Sequence, residues 1–126
     1  MTSKPYTIER GASFAEARAL MHDHHIRHVP VVDHGELCGI VSLRDLALYE
    51  AGGADPAVAR IDLVMVDSTF VVTSDAPLDD VAEIMAEHKY GSVVVMGRDG
   101  VEGIFTAVDA CTALAAVLRK ATLDLG

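Results

Sequence analysis

Two seven-residue phrases in the chain carry the same arrangement of polar groups. Gly39-Ile40-Val41-Ser42-Leu43-Arg44-Asp45 and Gly103-Ile104-Phe105-Thr106-Ala107-Val108-Asp109 both read glycine, two apolar residues, Ser or Thr, two variable residues, then Asp. Each sits at a predicted strand-to-helix junction. A helix N-terminus offers backbone N–H groups and partial positive charge, which suits a phosphate. Ser42 or Thr106 adds a hydroxyl donor. One turn later, Asp45 or Asp109 is an acceptor-only carboxylate able to take hydrogen bonds from both hydroxyls of a ribose. One junction could thus hold ribose and phosphate together. Ser/Thr-x-x-Asp is also close to a capping box, which helices carry without any ligand. Nucleotide contact and plain helix cap therefore both stand as readings of these residues.

Other chemistry-bearing residues offer less. His22, His24, His25, His28 and His34 cluster in sequence, as metal ligands or near-neutral titrating groups would. However, the first three straddle a predicted helix end and point in different directions, and no His-Glu-x-x-His pattern is present. Gly97-x-x-Gly100-x-x-Gly103 is a hairpin turn plus a strand glycine, and not a phosphate loop. No nucleophile elbow, P-loop or Cys/His pair occurs, so the chain is not expected to be an enzyme. Cys38 and Cys111 stand far apart among apolar residues and are expected to be small buried hydrophobes, with no disulfide framework.

Composition narrows the classes further. A net charge of −9 across 126 residues, with no basic cluster, opposes binding to a nucleic-acid backbone. Small phosphorylated ligands remain compatible, since a few arginines at one site suffice. Aromatic residues are only 5% of a chain that is 51% hydrophobic, so the core must be aliphatic. The longest apolar runs are too short to span a membrane, and no signal-peptide stretch opens the chain. A cytoplasmic protein without membrane partners is the resulting expectation.

The elements that would position these junctions follow from an internal repeat. Shifting the chain by 64 residues aligns Tyr6–Glu50 with Phe70–Leu114 without a gap. Ala12/Ala76, Met21/Met85, His24/His88, Val29/Val93, Val31/Val95, Gly39/Gly103, Ile40/Ile104 and Asp45/Asp109 coincide. In each half the pattern predicts a short strand (Tyr6–Ile8, Phe70–Val72), then a helix. The first helix spans about Phe14–His24 behind the capping box Ser13-x-x-Glu16, and its twin opens near Pro77. Two strands joined by a tight turn follow: about Val29–Val32 with Leu37–Val41, and Val93–Met96 with Val101–Phe105. A last helix starts at about Leu43 and Ala107. The fold class is α/β (α+β), two tandem β-α-β-β-α units. Residues 1–50 form the first repeat, 51–69 the linker and the start of the second, and 70–126 the second. Neither half buries its hydrophobic face alone, so the two must pack together.

His28-Val29-Pro30-Val31-Val32 followed by Gly39-Ile40-Val41-Ser42-x-x-Asp45 resembles the CBS domain, as does the opening Met1–Ile8 phrase. The resemblance covers both repeats. It implies a pseudo-twofold module with two clefts that accept AMP, ADP, ATP, S-adenosylmethionine or related dinucleotides, with no obligatory cofactor. It implies adenine contacts from backbone groups around Thr7–Ile8 and Val29–Pro30, with Val72, Ser92 and Val93 at matching places in the second repeat. Ser42 with Asp45, and Thr106 with Asp109, match the phosphate- and ribose-contacting positions. A homodimer through amphipathic helices, and a regulated effector protein in trans, are implied in the same way. The alternative is a ligand-free structural or dimerisation module. The halves are unequal: Pro30 and Arg44 in the first stand against Val94 and Val108 in the second. Arg44, with Arg27 and His28 near it in the pattern, makes the site using Asp45 the expected better phosphate binder.

Overall fold

The computed structural model describes residues 6–67 and 70–121. Met1–Pro5, part of the phrase that resembles the family's opening, lies outside them. The first repeat comprises β1 (Ile8–Glu9), α1 (Phe14–His24), β2 (His28–Asp33), β3 (Glu36–Ser42) and α2 (Leu43–Ala51). The second comprises β4 (Val71–Thr73), α3 (Leu78–His88), β5 (Ser92–Gly97), β6 (Gly100–Thr106) and α4 (Ala107–Ala121). Each repeat makes one three-stranded sheet whose first pair is parallel and whose second is antiparallel.

The repetition extends to irregularities. Both hairpins shift register at the same place, between Val31 and Val32 and between Val95 and Met96, leaving Cys38 and Glu102 as the matching extra residues. Both first helices end on a non-glycine residue in the left-handed region, His25 at φ 54° and Lys89 at φ 57°. The predicted capping box is formed: Ser13 Oγ accepts from the Glu16 N–H at 3.1 Å, while the Ser13 N–H donates to Glu16 Oε2 at 3.2 Å. α3 has no side-chain cap after Pro77 and relies on Asp79 and Asp80 in its first turn.

The first strands lie later than the sequence suggested: β4 by one residue at each end, and β1 by two at its start and one at its end. Backbone pairing decides this. In the second repeat the Val94 N–H donates to the Phe70 carbonyl at 3.0 Å, and Val71 pairs with Val94. Pro30 occupies the matching position in the first repeat and has no N–H to donate. Pairing there begins only at Ile8 with Val31, and β1 is left with two residues.

Three apolar clusters hold the molecule together. Phe14, Ala17, Met21, Val29, Val31, Val41 and Leu46 form the first repeat's core, and Val81, Met85, Val93, Val95 and Phe105 the second's. The third joins the sheets: Ile40, Val94 and Ile104 pack with Leu37, Met96 and Val101. Each sheet thus buries one face under its own helices and the other against its twin, which explains the unbroken burial of Val29 to Val32.

The linker belongs to the first repeat. Its Ile61 is fully buried in that core, and Ala59 and Ala12 exchange backbone bonds across it with Phe14 and Ile61. Val66 then pairs with Ile40 through bonds of 2.9 and 3.0 Å, laying Met65–Val66 over Gly39. By contrast α4 buries none of its residues, leaving Val108, Leu114 and Val117 between 55% and 73% exposed. Cys111 on this helix is therefore exposed, against expectation, because α4 has no covering segment among the described residues. Cys38 is half-buried, and burial pushes its thiol up.

A Cβ on Gly39 would stand 2.7 Å from the Val66 carbonyl oxygen and 3.2 Å from the Met65 sulfur. Gly39→Ala is expected to lower unfolding free energy by about 1–3 kcal/mol through this overpacking. Gly91→Ala, which meets nothing within 4 Å, should be near neutral when both are measured by urea denaturation.

Candidate functional site

The strand-to-helix junctions form as the two phrases predicted. In the second repeat Thr106 Oγ1 accepts from the Asp109 N–H at 3.1 Å, and Asp109 Oδ2 accepts from the Thr106 N–H at 2.9 Å. This is a reciprocal cap. In the first repeat Ser42 Oγ accepts from the Asp45 N–H at 3.1 Å. The first N–H of each helix is also engaged, Leu43 with the Arg27 carbonyl and Ala107 with the Gly91 carbonyl, both at 2.9 Å. Those bonds tie each helix start to the loop before β2 or β5 of its own repeat.

Between the repeats lies a cleft of about 450 Å³, inside the range of roughly 300–1,000 Å³ typical of small-molecule sites. Its first wall is Tyr6, Arg27, His28 and Pro30 from the first repeat. The opposite wall is Ile104, Thr106, Val108 and Asp109 from the second, with Gly91 at the rim. Pro30 is fully buried and forms part of the floor, while Ile104 belongs to both the inter-sheet contact and the cleft wall. The Tyr6 ring stacks on His24 at 3.8 Å, which ties the residues just before β1 to the end of α1.

His28 is half-buried on this wall. Burial holds its imidazole below the ordinary range, the Asp45 charge pulls it back up, and Arg27 pushes it down again. The imidazole is therefore uncharged at neutral pH, and Arg27 supplies the permanent positive charge on the first wall. Arg27 is exposed at the cleft mouth.

The cleft redistributes the residues that sequence had grouped. His28 and Pro30 meet Thr106 and Asp109 across the two repeats. Arg27 and His28 line the cleft together with Asp109, while His28 also stays within reach of the Asp45 charge at its own repeat's junction. Ser42, Arg44 and Asp45 cluster at the other junction, with Ser42 paired to His28 across β2 and β3. Ser92 pairs with Thr106 across β5 and β6. Val29 and Val93 are fully buried in their own cores, so their side chains are packing residues. Ile8 and Val72 pack against those cores from the short strands, and Thr7 is exposed. Tyr6, Ile104 and Val108 line the cleft without having been singled out, and only the aromatic character of Tyr6 at a strand start offered a signal.

Among the described residues no three His, Cys, Asp or Glu side chains converge as metal ligands would, and no helix is long and apolar enough to cross a membrane.

Two β-α-β-β-α units, joined through their sheets around a cleft walled by both, define a tandem-repeat module. The chain belongs to the CBS domain family, whose family model matches residues 1–52 and 58–116. CBS domain-containing protein YhcV of Bacillus subtilis is 26% identical over 109 residues, 86% of this chain and 78% of YhcV. The CBS domain pair of protein MJ0100, in complex with 5′-methylthioadenosine and S-adenosyl-L-methionine, superposes with a TM-score of 0.79 at 30% identity, covering 90% of this chain and 93% of that one. The cytosolic domain of the Mg²⁺ channel MgtE, in complex with ATP, has a TM-score of 0.69 at 27% identity, covering 86% of this chain but 45% of that one.

The reciprocal cap at α4 gives a direct expectation. Thr106→Ala should lower stability by about 0.5–2 kcal/mol, the usual effect of losing an N-cap hydroxyl. Urea denaturation of the variant beside wild type measures it.

Proposed function

We propose that the chain is a regulatory module that binds an adenosine-containing nucleotide in the cleft between its repeats and carries out no chemistry itself. The observation that carries this reading is the convergence, from two repeats, of Arg27, His28 and Pro30 with the capped Thr106–Asp109 junction. In this reading Asp109 takes the ribose hydroxyls, and the Thr106 hydroxyl and the Val108 N–H at the start of α4 face the phosphate with Arg27. Tyr6, Pro30 and Ile104 enclose the base. The bound adenosine compounds of the MJ0100 pair and the ATP of the MgtE domain support the ligand class. AMP, ADP, ATP and S-adenosylmethionine are the candidates, with no obligatory cofactor.

A second cleft, related by the pseudo-twofold axis, would combine Ser42, Arg44 and Asp45 with Val72, Ser92 and Val93 at the start of the second repeat. We assign first place to the cleft of Asp109, since it gathers Arg27 and His28. Residues 1–50 and 70–126 act as the two walls and 51–69 as the strap between them. The module works in the cytoplasm on an effector protein in trans.

A thermal-shift panel of AMP, ATP, S-adenosylmethionine and Zn²⁺ tests this reading. A ligand at about 100 times its dissociation constant should add about 2.7 kcal/mol of stability. That gain should vanish in Asp109→Asn and survive in Asp45→Asn. Flat melting curves with every compound would leave a structural or dimerisation module, for which the reciprocal Thr106–Asp109 cap already suffices.

Dimerisation falls to the apolar side chains that α4 and α2 leave exposed, Leu114 and Val117 with Leu48 and Tyr49. Leu114→Asp/Val117→Asp should convert a dimer to a monomer in sedimentation-velocity runs. A wild-type monomer at tens of micromolar would refute that face as an interface.

A further inference from the structure

Of the two histidines on the cleft wall, His25 is exposed and His28 is half-buried. Strand alternation turns His28 to the same side of β2 as Pro30, and both line the cleft. Ser92 holds the matching position in the second repeat and has no group that titrates near neutral pH. Around His28 stand Arg27 immediately before it, His25 at the end of α1, Tyr6 before β1, Asp45 in the first turn of α2 and Asp109 in the first turn of α4. Its neighbour across the sheet, Ser42, carries no charge. Burial does most to disfavour the charged imidazole, the Asp45 charge favours it, and Arg27 opposes it. One further negative charge in the cleft would tip that balance, and a half-buried imidazole feels such a charge more strongly than a solvated one.

We propose that His28 couples the cleft to pH: it takes up a proton when an anionic nucleotide binds and stays uncharged beside a neutral nucleoside, so affinity for phosphorylated ligands rises as pH falls. This rests on the nucleotide reading above and adds the pH response and charge selectivity of that cleft. The sign follows from linkage. An anion raises the proton affinity of His28 in the bound protein above that in the free protein. The added ligand affinity is then complete below the free protein's titration and lost above the bound protein's titration. A nucleotide's own phosphate loses charge below about pH 6, which opposes the effect, so the rise belongs to the range above that. Ser92 cannot respond in this way, which leaves the second repeat's strand start insensitive to pH.

Isothermal titration calorimetry in two buffers of different ionisation enthalpy counts the protons taken up on binding. AMP, ATP, adenosine and S-adenosylmethionine are titrated into wild type, His28→Gln and His28→Ser, the last reproducing the residue that the second repeat accommodates. Wild type is expected to take up a fraction of a proton with AMP or ATP and none with adenosine, and both variants to take up none. AMP affinity should rise about three- to tenfold in wild type between about pH 8 and pH 6.5, and less than about twofold in the variants. The His28 imidazole C–H resonance, followed by NMR in wild type, supplies a readout that needs no substitution, and its titration should move upward when AMP is present. AMP binding without proton uptake, uptake that persists in both variants, or a His28 titration that AMP does not move overturns the inference and leaves nucleotide binding intact. Binding of adenosine or S-adenosylmethionine with neither AMP nor ATP overturns it in the same way. Absence of binding by all four compounds overturns the functional reading itself.

Discussion

The contact between the two sheets is the constraint on which the rest of the structure depends. A three-stranded sheet covered on one side by two helices still exposes an apolar face, and each repeat has such a face. Ile40, Val94 and Ile104 close both at once. Apolar burial is non-directional and proportional to area, but strands pleat, so the contact also fixes which residues turn toward the helices and which toward the twin. Val29 and Val31 go to the first core and Pro30 to the shared side. Sequence neighbours thereby acquire different tasks.

The cleft is a by-product of that contact. Face-to-face packing leaves the strand starts of one repeat opposite the helix start of the other, and Ile104 belongs to both the sheet contact and the cleft wall. The helix start is in turn held by its own repeat, through the Ala107 bond to Gly91 and the reciprocal Thr106–Asp109 cap. Both walls are therefore positioned by the cores of their own repeats, with Ile26 linking the first core to the cleft. Their separation depends only on the small apolar layer between the sheets.

Much of this was legible in the sequence, and the exceptions have physical causes. The repeat, the element order and the Ser13–Glu16 cap could be read because periodicity and capping are local. The sheet-to-sheet packing followed from two half-covered faces. What sequence could not supply was which elements share the cleft: Arg27 and His28 line it together with the start of the helix that begins at Ala107. That sharing follows from sheet-to-sheet packing, which no local pattern encodes. Cys111 misled for a related reason, since an apolar sequence neighbourhood predicts burial only when another element covers the helix. The linker covers the first repeat through Ile61 and Val66, and α4 has no such cover among the described residues.

Duplication supplies two copies of every device, and divergence then decides which copy does what. The matched register shifts and the left-handed helix ends at His25 and Lys89 are retained, as the backbone path requires them. The side chains at these positions are not retained: Pro30 is matched by Val94, His28 by Ser92, Arg27 by Gly91 and Arg44 by Val108. Each exchange alters hydrogen-bonding capacity or charge without altering the path of the chain. In the proposed nucleotide-binding reading, a ligand touching both walls would shift the module only by the difference in its affinity for this arrangement and any other. Unequal walls make that difference ligand-specific. Identical repeats would present the same groups at both junctions, so the divergence at these four pairs is what makes the two halves chemically distinct.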